Sequence, residues 1–275
     1  MYLPEKFIKA VGITYLMVTQ RSPGWIRQRY WKIRARESAP PAVSFGRKHI
    51  TEKYSFALRQ IKGTGTVADI GTGTGYGIVS SGDANRFVGL DYNKHALKLG
   101  ELEHPELKGK LIHGNALQTD KHFKNLSGIT AFEILEHLRA NEKRVFLESA
   151  KRALVPSGVL VMSTPLSFRP RTLNIYHFGK ELEFEEFTRL VEEYFPNTIY
   201  YGIGILPKSI SKRYAERVHE AVSSADIFHL RRLLSKNLRS KFLSSISGKQ
   251  EIHPIAEYLK KQELPKNIIS VSTKD

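Results

Sequence analysis

The amino-acid sequence predicts an α/β protein in which a mostly parallel β-sheet carries helices on both faces. Short β-branched or apolar runs alternate with helical stretches through the middle of the chain. A turn with four glycines directly follows the first of these runs, in VADIGTGTGYG at residues 67–77. Alternation of this kind is typical of βαβ units, whose parallel strands are buried on both faces.

The elements are expected in a definite order along the chain. A basic and aromatic segment at residues 1–45 ends in the Pro-rich SAPPAVSFG, and a helical pattern from Lys48 through HITEKYSFALRQI stops at Gly63. Strands are then expected at TVADI, RFVGLD, KLIHG, GITAFEIL and GVLVMSTP, most of them separated by helices such as NKHALKLGELE and NEKRVFLESAKRAL. A further helix is expected at EFEEFTRLVEEYF, a strand at NTIYYGIG and a last strand at NIISVST.

Composition excludes some classes of protein. The 275 residues suffice for one large domain or for one domain with appendages. The chain has no cysteine, which excludes a disulfide framework and a thiolate metal site. No stretch reaches the roughly 18 uninterrupted apolar residues of a membrane-spanning helix, and the N-terminus lacks the small-residue cleavage site of a signal peptide. A cytoplasmic protein is therefore expected.

Net charge is the unusual feature of the composition, at +16. Residues 1–48 hold ten Lys and Arg against two Glu, and residues 207–262 hold twelve against five acidic residues. Such flanks favour anionic partners, namely nucleic acid, an anionic membrane surface or an acidic substrate, although a basic surface can also serve solubility alone. The amphipathic pattern in HLRRLLSKNLRSKFL either makes peripheral contact with an anionic membrane or packs its leucines on the protein.

The glycine-rich turn is the first candidate binding site. Glycine permits positive φ angles and lets a ligand lie against the backbone, and open α/β sheets bind ligands at this turn. A dinucleotide site uses the spacing G-x-G-x-x-G and holds a pyrophosphate. Here Gly71, Gly73 and Gly75 follow the spacing G-x-G-x-G, and Asp69 stands two residues before them. A carboxylate at that position repels a pyrophosphate but suits an ammonium group, such as the one in S-adenosylmethionine.

Two further polar residues follow the next strand candidates. Asp91 ends FVGLD, 20 residues after Gly71, where an acid is placed to accept hydrogen bonds from both ribose hydroxyls. Taken alone, Asp91 could equally cap a helix. Asn115, in HGNAL, follows the third strand, where its side chain could face the adenine amine. The three features in this order, each at the carboxyl end of a strand, predict a nucleoside-binding site.

These motifs, together with FEILEHL and VPSGVLVMSTP, resemble the ordered motifs of class I S-adenosylmethionine-dependent methyltransferases. The resemblance covers about residues 47–204 and is closest to a subgroup with a preceding helix, here HITEKYSFALRQIKG, and a later EEF helix, here HFGKELEFEEF. Many proteins of that subgroup look like small-molecule or glycan methyltransferases. The chain departs from the family pattern at Asn115, where Asp is frequent, and at GTG, where GCG is frequent.

The resemblance implies a Rossmann-like sheet of seven strands whose last strand is antiparallel. It divides the chain into a basic extension at 1–45, a core at 46–206, a basic helical insertion at 207–262 and the last strand at 263–275. The predicted cofactor is S-adenosylmethionine. The residues expected to bind it are Asp69, Gly71, Thr72, Gly73, Gly75, Asp91, Tyr92, Asn115, Ala116 and Glu133.

The segment FEILEHL supplies the candidates for the chemistry, because methyl transfer to a hydroxyl also requires a proton acceptor. In one interpretation Glu133 lies beside the methionine moiety and His137 is the general base. In a second, Glu133, Glu136 and His137, with His177, bind a divalent cation such as Mg²⁺, as in some similar ubiquinone-type and RNA 2′-O-methyltransferases. In a third, Glu136 and His137 only open the next helix. His177 is a second catalytic candidate because its loop is expected over the cofactor.

The function expected from these features is O-methylation of a small molecule or of a sugar or glycan. One alternative is an RNA methyltransferase, favoured by the basic flanks and by E-x-x-E-H. Another is a non-catalytic cofactor-binding or scaffold protein, since one fold hosts many functions. The sequence leaves the methyl acceptor and the oligomeric state open.

Overall fold

The computed structural model describes residues 44–166, 182–204, 251–261, 263, 265 and 267–275. These residues fall into two compact units. The larger unit contains those up to residue 200 together with residues 268–275, and the smaller unit contains those from 201 to 267. Residues 1–43 and most of the predicted insertion at 207–262 lie outside the described residues, so the domain boundaries there remain predictions.

Helices and strands alternate along the chain as the sequence predicts. Helix α1 (Ser44–Gln60) precedes β1 (Val67–Ile70), α2 (Tyr76–Ser80), β2 (Phe87–Asp91), α3 (Lys94–Glu103), β3 (Leu111–His113) and α4 (Thr119–His122). Next come β4 (Leu126–Phe132), α5 (Ala140–Ala153), β5 (Leu154–Pro165), α6 (Phe184–Glu192) and β6 (Asn197–Ile203). The remaining elements are β7 (Ile252–Pro254), α7 (Ile255–Lys260) and β8 (Asn267–Thr273).

The first five strands form a parallel sheet. In the larger unit the strand order is β3-β2-β1-β4-β5-β8-β6. Strand β1 pairs in parallel with β2 and with β4, so that Asp69 has Gly89 on one side and Thr130 on the other. Strands β2 and β3, and strands β4 and β5, are also parallel pairs. The carboxyl ends of these strands therefore meet at one edge, which is the edge that binds ligands in open α/β sheets.

The last strand runs in the opposite direction, as expected. The Ser157 N–H donates to the Lys274 carbonyl, and the Lys274 N–H donates to the Gly158 carbonyl, both at 2.9 Å. The end of β8 therefore lies beside the beginning of β5. The described residues contain eight strands rather than the predicted seven, because residues 201–203 pair in the smaller unit with the antiparallel strand β7. A three-residue strand is too short to produce a periodic signal in the sequence.

Apolar side chains of the sheet and of its helices form the core of the larger unit. Helix α5 buries Phe146, Leu147, Ala150 and Ala153, a spacing of three or four residues that places one face on the sheet. The central strands contribute fully buried residues such as Ile129 and Leu160. Strand β4 ends at Phe132, before the predicted end at Leu135, because Glu133 adopts a φ of 57°. In the part of the chain that the structure describes, no helix is long and apolar enough to cross a membrane.

Helix α1 packs on the helix that follows the glycine-rich turn. A Cβ added at Gly77, in α2, would lie 2.1 Å from Cζ of Tyr54. The Tyr54 ring also contacts Phe87 and Phe132, with centroid separations of 6.2 and 5.0 Å. The absence of a side chain at Gly77, the last glycine of the turn motif, therefore leaves room for the Tyr54 ring. This position contributes to packing, whereas the sequence suggested a backbone exposed to ligand.

We predict that Gly77→Ala destabilises the protein although alanine is the better helix former by about 1 kcal/mol. Overpacking against the Tyr54 ring should outweigh that gain and cost about 1–3 kcal/mol. Urea unfolding of the full chain measures the change. The control is Gly109→Ala, where the added Cβ meets no atom within 4 Å and only left-handed backbone strain of about 1 kcal/mol applies. A stabilised Gly77→Ala variant would contradict the packing described here.

Candidate functional site

The glycine-rich turn connects β1 to α2 through three residues with left-handed backbone. The φ angles of Gly71, Gly73 and Gly75 are 76°, 58° and 75°. The Gly71 N–H donates to the Leu90 carbonyl at 2.7 Å, which fixes the start of the turn on β2. A Cβ at Gly71 would lie 2.0 Å from Cδ1 of Ile134, so the loop after β4 packs directly on the turn. The turn is therefore bound on both sides by neighbouring strand ends.

Asp91 lies at the carboxyl end of β2 and faces this turn. Its Oδ2 accepts from the Gly73 N–H at 2.8 Å, and its Oδ1 accepts from the Asn93 N–H at 2.7 Å. Burial raises the pKa of Asp91, and the backbone bonds from Asn93 and Gly73 partly offset that rise. The helix N-cap is Asn93, whose side chain accepts from two backbone N–H groups of α3. Asp91 is thus not the cap, and its carboxylate orients the turn.

Asp69 is buried in a hydrogen-bond network inside the sheet. It is 1% exposed, its Oδ1 accepts from the Thr130 hydroxyl at 2.7 Å, and its Oδ2 accepts from the Tyr54 hydroxyl at 2.9 Å. Burial raises the pKa of Asp69 to about 6, although hydrogen bonds from Thr130 and Tyr54 act in the opposite direction. Direct contact between Asp69 and a ligand ammonium group stays a prediction. The carboxylate links β1 to α1 and β4.

A partly buried ion pair lies at the carboxyl ends of β4 and β5. Nζ of Lys53, from α1, lies 2.6 Å from Oε1 of Glu133 and 3.1 Å from Oγ of Ser163. The Ser163 hydroxyl also donates to Oε1 of Glu133, at 2.7 Å. The lysine side chain is 6% exposed, whereas the Glu133 side chain is 37% exposed. The Glu133 side chain is therefore partly open to solvent, while the Lys53 side chain that contacts it is buried.

Glu136 occupies the 3₁₀ turn Leu135–His137 and points into the protein. It is 2% exposed, and its Oε2 accepts from the Thr164 hydroxyl at 3.2 Å. Burial raises the pKa of Glu136 well above its usual value, and the charge of Glu133 raises it further. Among the described residues, no three His, Asp or Glu side chains are grouped so that they could hold a metal ion. The cation that Glu133 contacts among these residues is the Lys53 ammonium, and a divalent cation site at Glu133, Glu136 and His137 with His177 stays a prediction.

The other predicted site residues lie at the same edge of the sheet or beyond the described residues. Tyr92 is 61% exposed, with its ring centroid 5.8 Å from that of His113. Oδ1 of Asn115 accepts from the Leu117 N–H at 3.0 Å, and Ala116 packs on the core. Thr72 is a buried residue of the turn itself, and His137 is half-buried at the end of its 3₁₀ turn. His177 lies outside the described residues.

Sequence reasoning missed the residues that hold the acidic groups in place. No individual role is expected from the sequence for Lys53, Tyr54, Thr130 or Ser163. The partners are far apart in sequence, with 80 positions between Lys53 and Glu133. One available signal was the pair of adjacent polar residues, Lys53 and Tyr54, within a helical pattern whose other buried positions are apolar.

We predict that Asp69 makes stability fall as pH rises. Its folded pKa of about 6 exceeds the 3.8 that is usual for an aspartate, so its contribution to stability is complete below about pH 4 and is lost as pH rises through about 6. Asp69→Asn should remove a pH-dependent change of about 2–3 kcal/mol between about pH 4 and pH 7. Urea unfolding across that range measures it. Thr130→Val, which removes a donor to Oδ1, should shift the loss to higher pH, and identical slopes in all three proteins would contradict this assignment.

The comparisons with known proteins agree with this geometry. Residues 67–158, from β1 into β5, match a family described as methyltransferase domain. No curated protein matches the chain. The E-x-x-E-H subgroup suggested by the sequence remains a prediction.

Several solved structures share the fold at low sequence identity. A SAM-dependent methyltransferase from Archaeoglobus fulgidus is 18% identical, with a TM-score of 0.50, over 83% of this chain and 94% of that one. A possible histamine N-methyltransferase from Thermotoga maritima is 12% identical, with a TM-score of 0.50, over 83% and 91%. A putative O-methyltransferase from Nostoc punctiforme is 16% identical, with a TM-score of 0.51, over 75% and 67%. Residues 67–158 therefore match a methyltransferase domain, and the chain shares its fold with S-adenosylmethionine-dependent methyltransferases.

Proposed function

We propose that the protein transfers the methyl group to an oxygen atom of a small molecule or sugar, with the cofactor bound across the carboxyl ends of β1, β2 and β4. The observation that carries this proposal is the Asp91 carboxylate, which the Gly73 N–H orients toward the glycine-rich turn. A carboxylate at the end of the second strand is placed to accept the hydroxyls of a bound ribose.

The polar groups near Asp91 fit an adenosine moiety. A carboxylate offers about four acceptor positions, and the Gly73 and Asn93 N–H groups each use one. The Tyr92 N–H also bonds to this carboxylate, so acceptor capacity remains for a ribose hydroxyl. The exposed Tyr92 ring offers an apolar surface beside them. Because Oδ1 of Asn115 already accepts from Leu117, its NH₂ group suits an adenine ring nitrogen better than the exocyclic amine suggested by the sequence.

Glu133 is the group best placed for the methionine moiety. Its side chain is 37% exposed, and the neighbouring Ile134 packs on Gly71 of the turn. An ammonium group near this carboxylate gains a charge-assisted hydrogen bond. Asp69 supports the same region indirectly, because its bonds to Tyr54 and Thr130 fix α1 and β4 beside the turn.

The protein's part in the chemistry is orientation and proton transfer. When bound, S-adenosylmethionine supplies a methyl group already activated by a sulfonium. Holding donor and acceptor in line can lower the barrier by about 7–11 kcal/mol. A hydroxyl acceptor must also lose a proton, and a ring nitrogen of His137, on the loop after β4, is the described group proposed to take it.

The choice of a small acceptor rests on the family resemblance of the core. Two of the structural neighbours are a putative O-methyltransferase and a possible histamine N-methyltransferase. The net charge of +16 makes an anionic acceptor, including RNA, the alternative to test.

We predict that Asp91→Ala weakens cofactor binding by about 1–3 kcal/mol, because hydrogen bonds to a charged acceptor are lost. Calorimetry with S-adenosylhomocysteine measures the change. Asp83→Ala is the matched control, since Asp83 lies before β2, at the other end of that strand. Wild-type affinity in Asp91→Ala would show that the ribose is not bound here.

The acceptor itself can be identified with labelled cofactor. Incubation of the full chain with methyl-labelled S-adenosylmethionine and a cell extract, divided into small-molecule, glycan and RNA fractions, should place the label in the first or second fraction. Label in RNA, together with binding that weakens steeply as salt rises, would replace the proposed acceptor by RNA.

His137→Ala should lower kcat by about 10²–10⁴-fold if its ring takes the proton.

A further inference from the structure

Helix α1 presents two adjacent side chains to two carboxylates of neighbouring strands. Lys53 contacts Glu133 at the end of β4, and Tyr54 contacts Asp69 in β1. Strands β1 and β4 are paired directly. One turn of one helix therefore fixes acidic groups on both strands that border the glycine-rich turn.

The position of Glu133 is determined by several contacts at once. Its φ of 57° is a left-handed conformation that a residue with a side chain rarely adopts. Its N–H donates to the Ser163 carbonyl at 2.9 Å, while Oε1 accepts from Lys53 and from the Ser163 hydroxyl. Strained residues of this kind persist only where the surroundings hold them, and they concentrate at functional sites.

Burying the charge of Lys53 costs free energy, so its position calls for an explanation. It is 5% exposed, and a buried charge is tolerated only when it is paired and hydrogen-bonded. A leucine or methionine at this point would anchor α1 without that penalty. The Lys53 ammonium group instead lies 2.6 Å from Oε1 of Glu133, whose side chain is partly exposed.

We infer that Lys53 is a positioning residue for the amino-acid end of the cofactor. It holds the Glu133 carboxylate so that this group accepts a hydrogen bond from the α-ammonium of the methionine moiety. The inference rests on the proposed placement of the cofactor and extends it to a residue that does not touch the ligand. The pair of one cation and one anion also matches a zwitterionic ligand, because binding leaves the cluster without added net charge.

Two ligands that differ only at this end test the inference. S-adenosylhomocysteine carries the amino-acid group, and 5′-methylthioadenosine lacks it but keeps the adenosine. Calorimetry on the full chain gives the ratio of the two dissociation constants. Lys53→Met should weaken S-adenosylhomocysteine about tenfold or more, the size expected for a hydrogen bond to a charged group, and leave 5′-methylthioadenosine within about twofold. Lys53→Arg should restore most of the ratio.

Further variants separate positioning from folding. Lys151→Met is the matched control, since Nζ of Lys151 donates to the Tyr194 carbonyl and lies over the Phe195 ring; it should keep the wild-type ratio. Glu133→Gln should reproduce the selective loss, and Lys53→Met should add no more than about twofold in that background, because residues acting through one contact are not additive. If Lys53→Met does not fold, Ser163→Ala replaces it and should weaken S-adenosylhomocysteine selectively by a smaller factor.

The outcomes distinguish this inference from the proposed site. Equal weakening of both ligands, or an unchanged ratio in a folded Lys53→Met protein, overturns the role of Lys53 and leaves the adenosine site standing. Additive losses in Lys53→Met and Glu133→Gln overturn the route through Glu133. A wild-type protein that binds neither ligand, or an Asp91→Ala variant with wild-type affinity for both, overturns the proposed cofactor site and the inference with it.

Discussion

The structure of the site depends on holding acidic side chains at one edge of the sheet. Asp69, Asp91, Glu133 and Glu136 all lie at or near the carboxyl ends of β1, β2 and β4. The free-energy cost of burying each carboxylate is offset by different partners. Asp91 uses backbone N–H groups, Asp69 uses hydroxyls, and Glu133 uses the Lys53 ammonium. Glu136 accepts from the Thr164 hydroxyl, and burial raises its pKa well above the usual value, which favours the neutral acid.

Helix α1 connects this electrostatic arrangement to the packing of the glycine-rich turn. The Tyr54 ring needs the bare Gly77 on one side and delivers its hydroxyl to Asp69 on the other. The same turn of helix carries Lys53 to Glu133. The glycines of the motif therefore have two roles. Gly77 leaves room for the Tyr54 ring, and Gly73 belongs to the turn that bonds to Asp91. A substitution at Gly77 is expected to affect both the fold and the acidic groups that α1 holds.

The fold could be predicted because strands and helices leave local signals. Apolar runs gave β1 to β6 and β8, while β7 has only three residues and left none. Asp91 was predictable because its distance from the glycine turn is set by the length of one βαβ unit. The contact of Lys53 with Glu133 was not, because it joins residues 80 positions apart through the docking of α1. The left-handed conformation of Glu133 was equally hidden, since no glycine marks it.

The segment E-x-x-E-H shows why a motif alone does not determine chemistry. Two glutamates and a histidine can bind a divalent cation, but the sequence leaves a general base and a purely structural role equally open. In the fold, Glu133 and Glu136 point to different surroundings, one toward the Lys53 ammonium and one into the protein. A divalent ion bound at Oε1 of Glu133 would have to displace a buried lysine, which would then lose its charge partner. In the described residues, the positive charge beside Glu133 is therefore the Lys53 ammonium group.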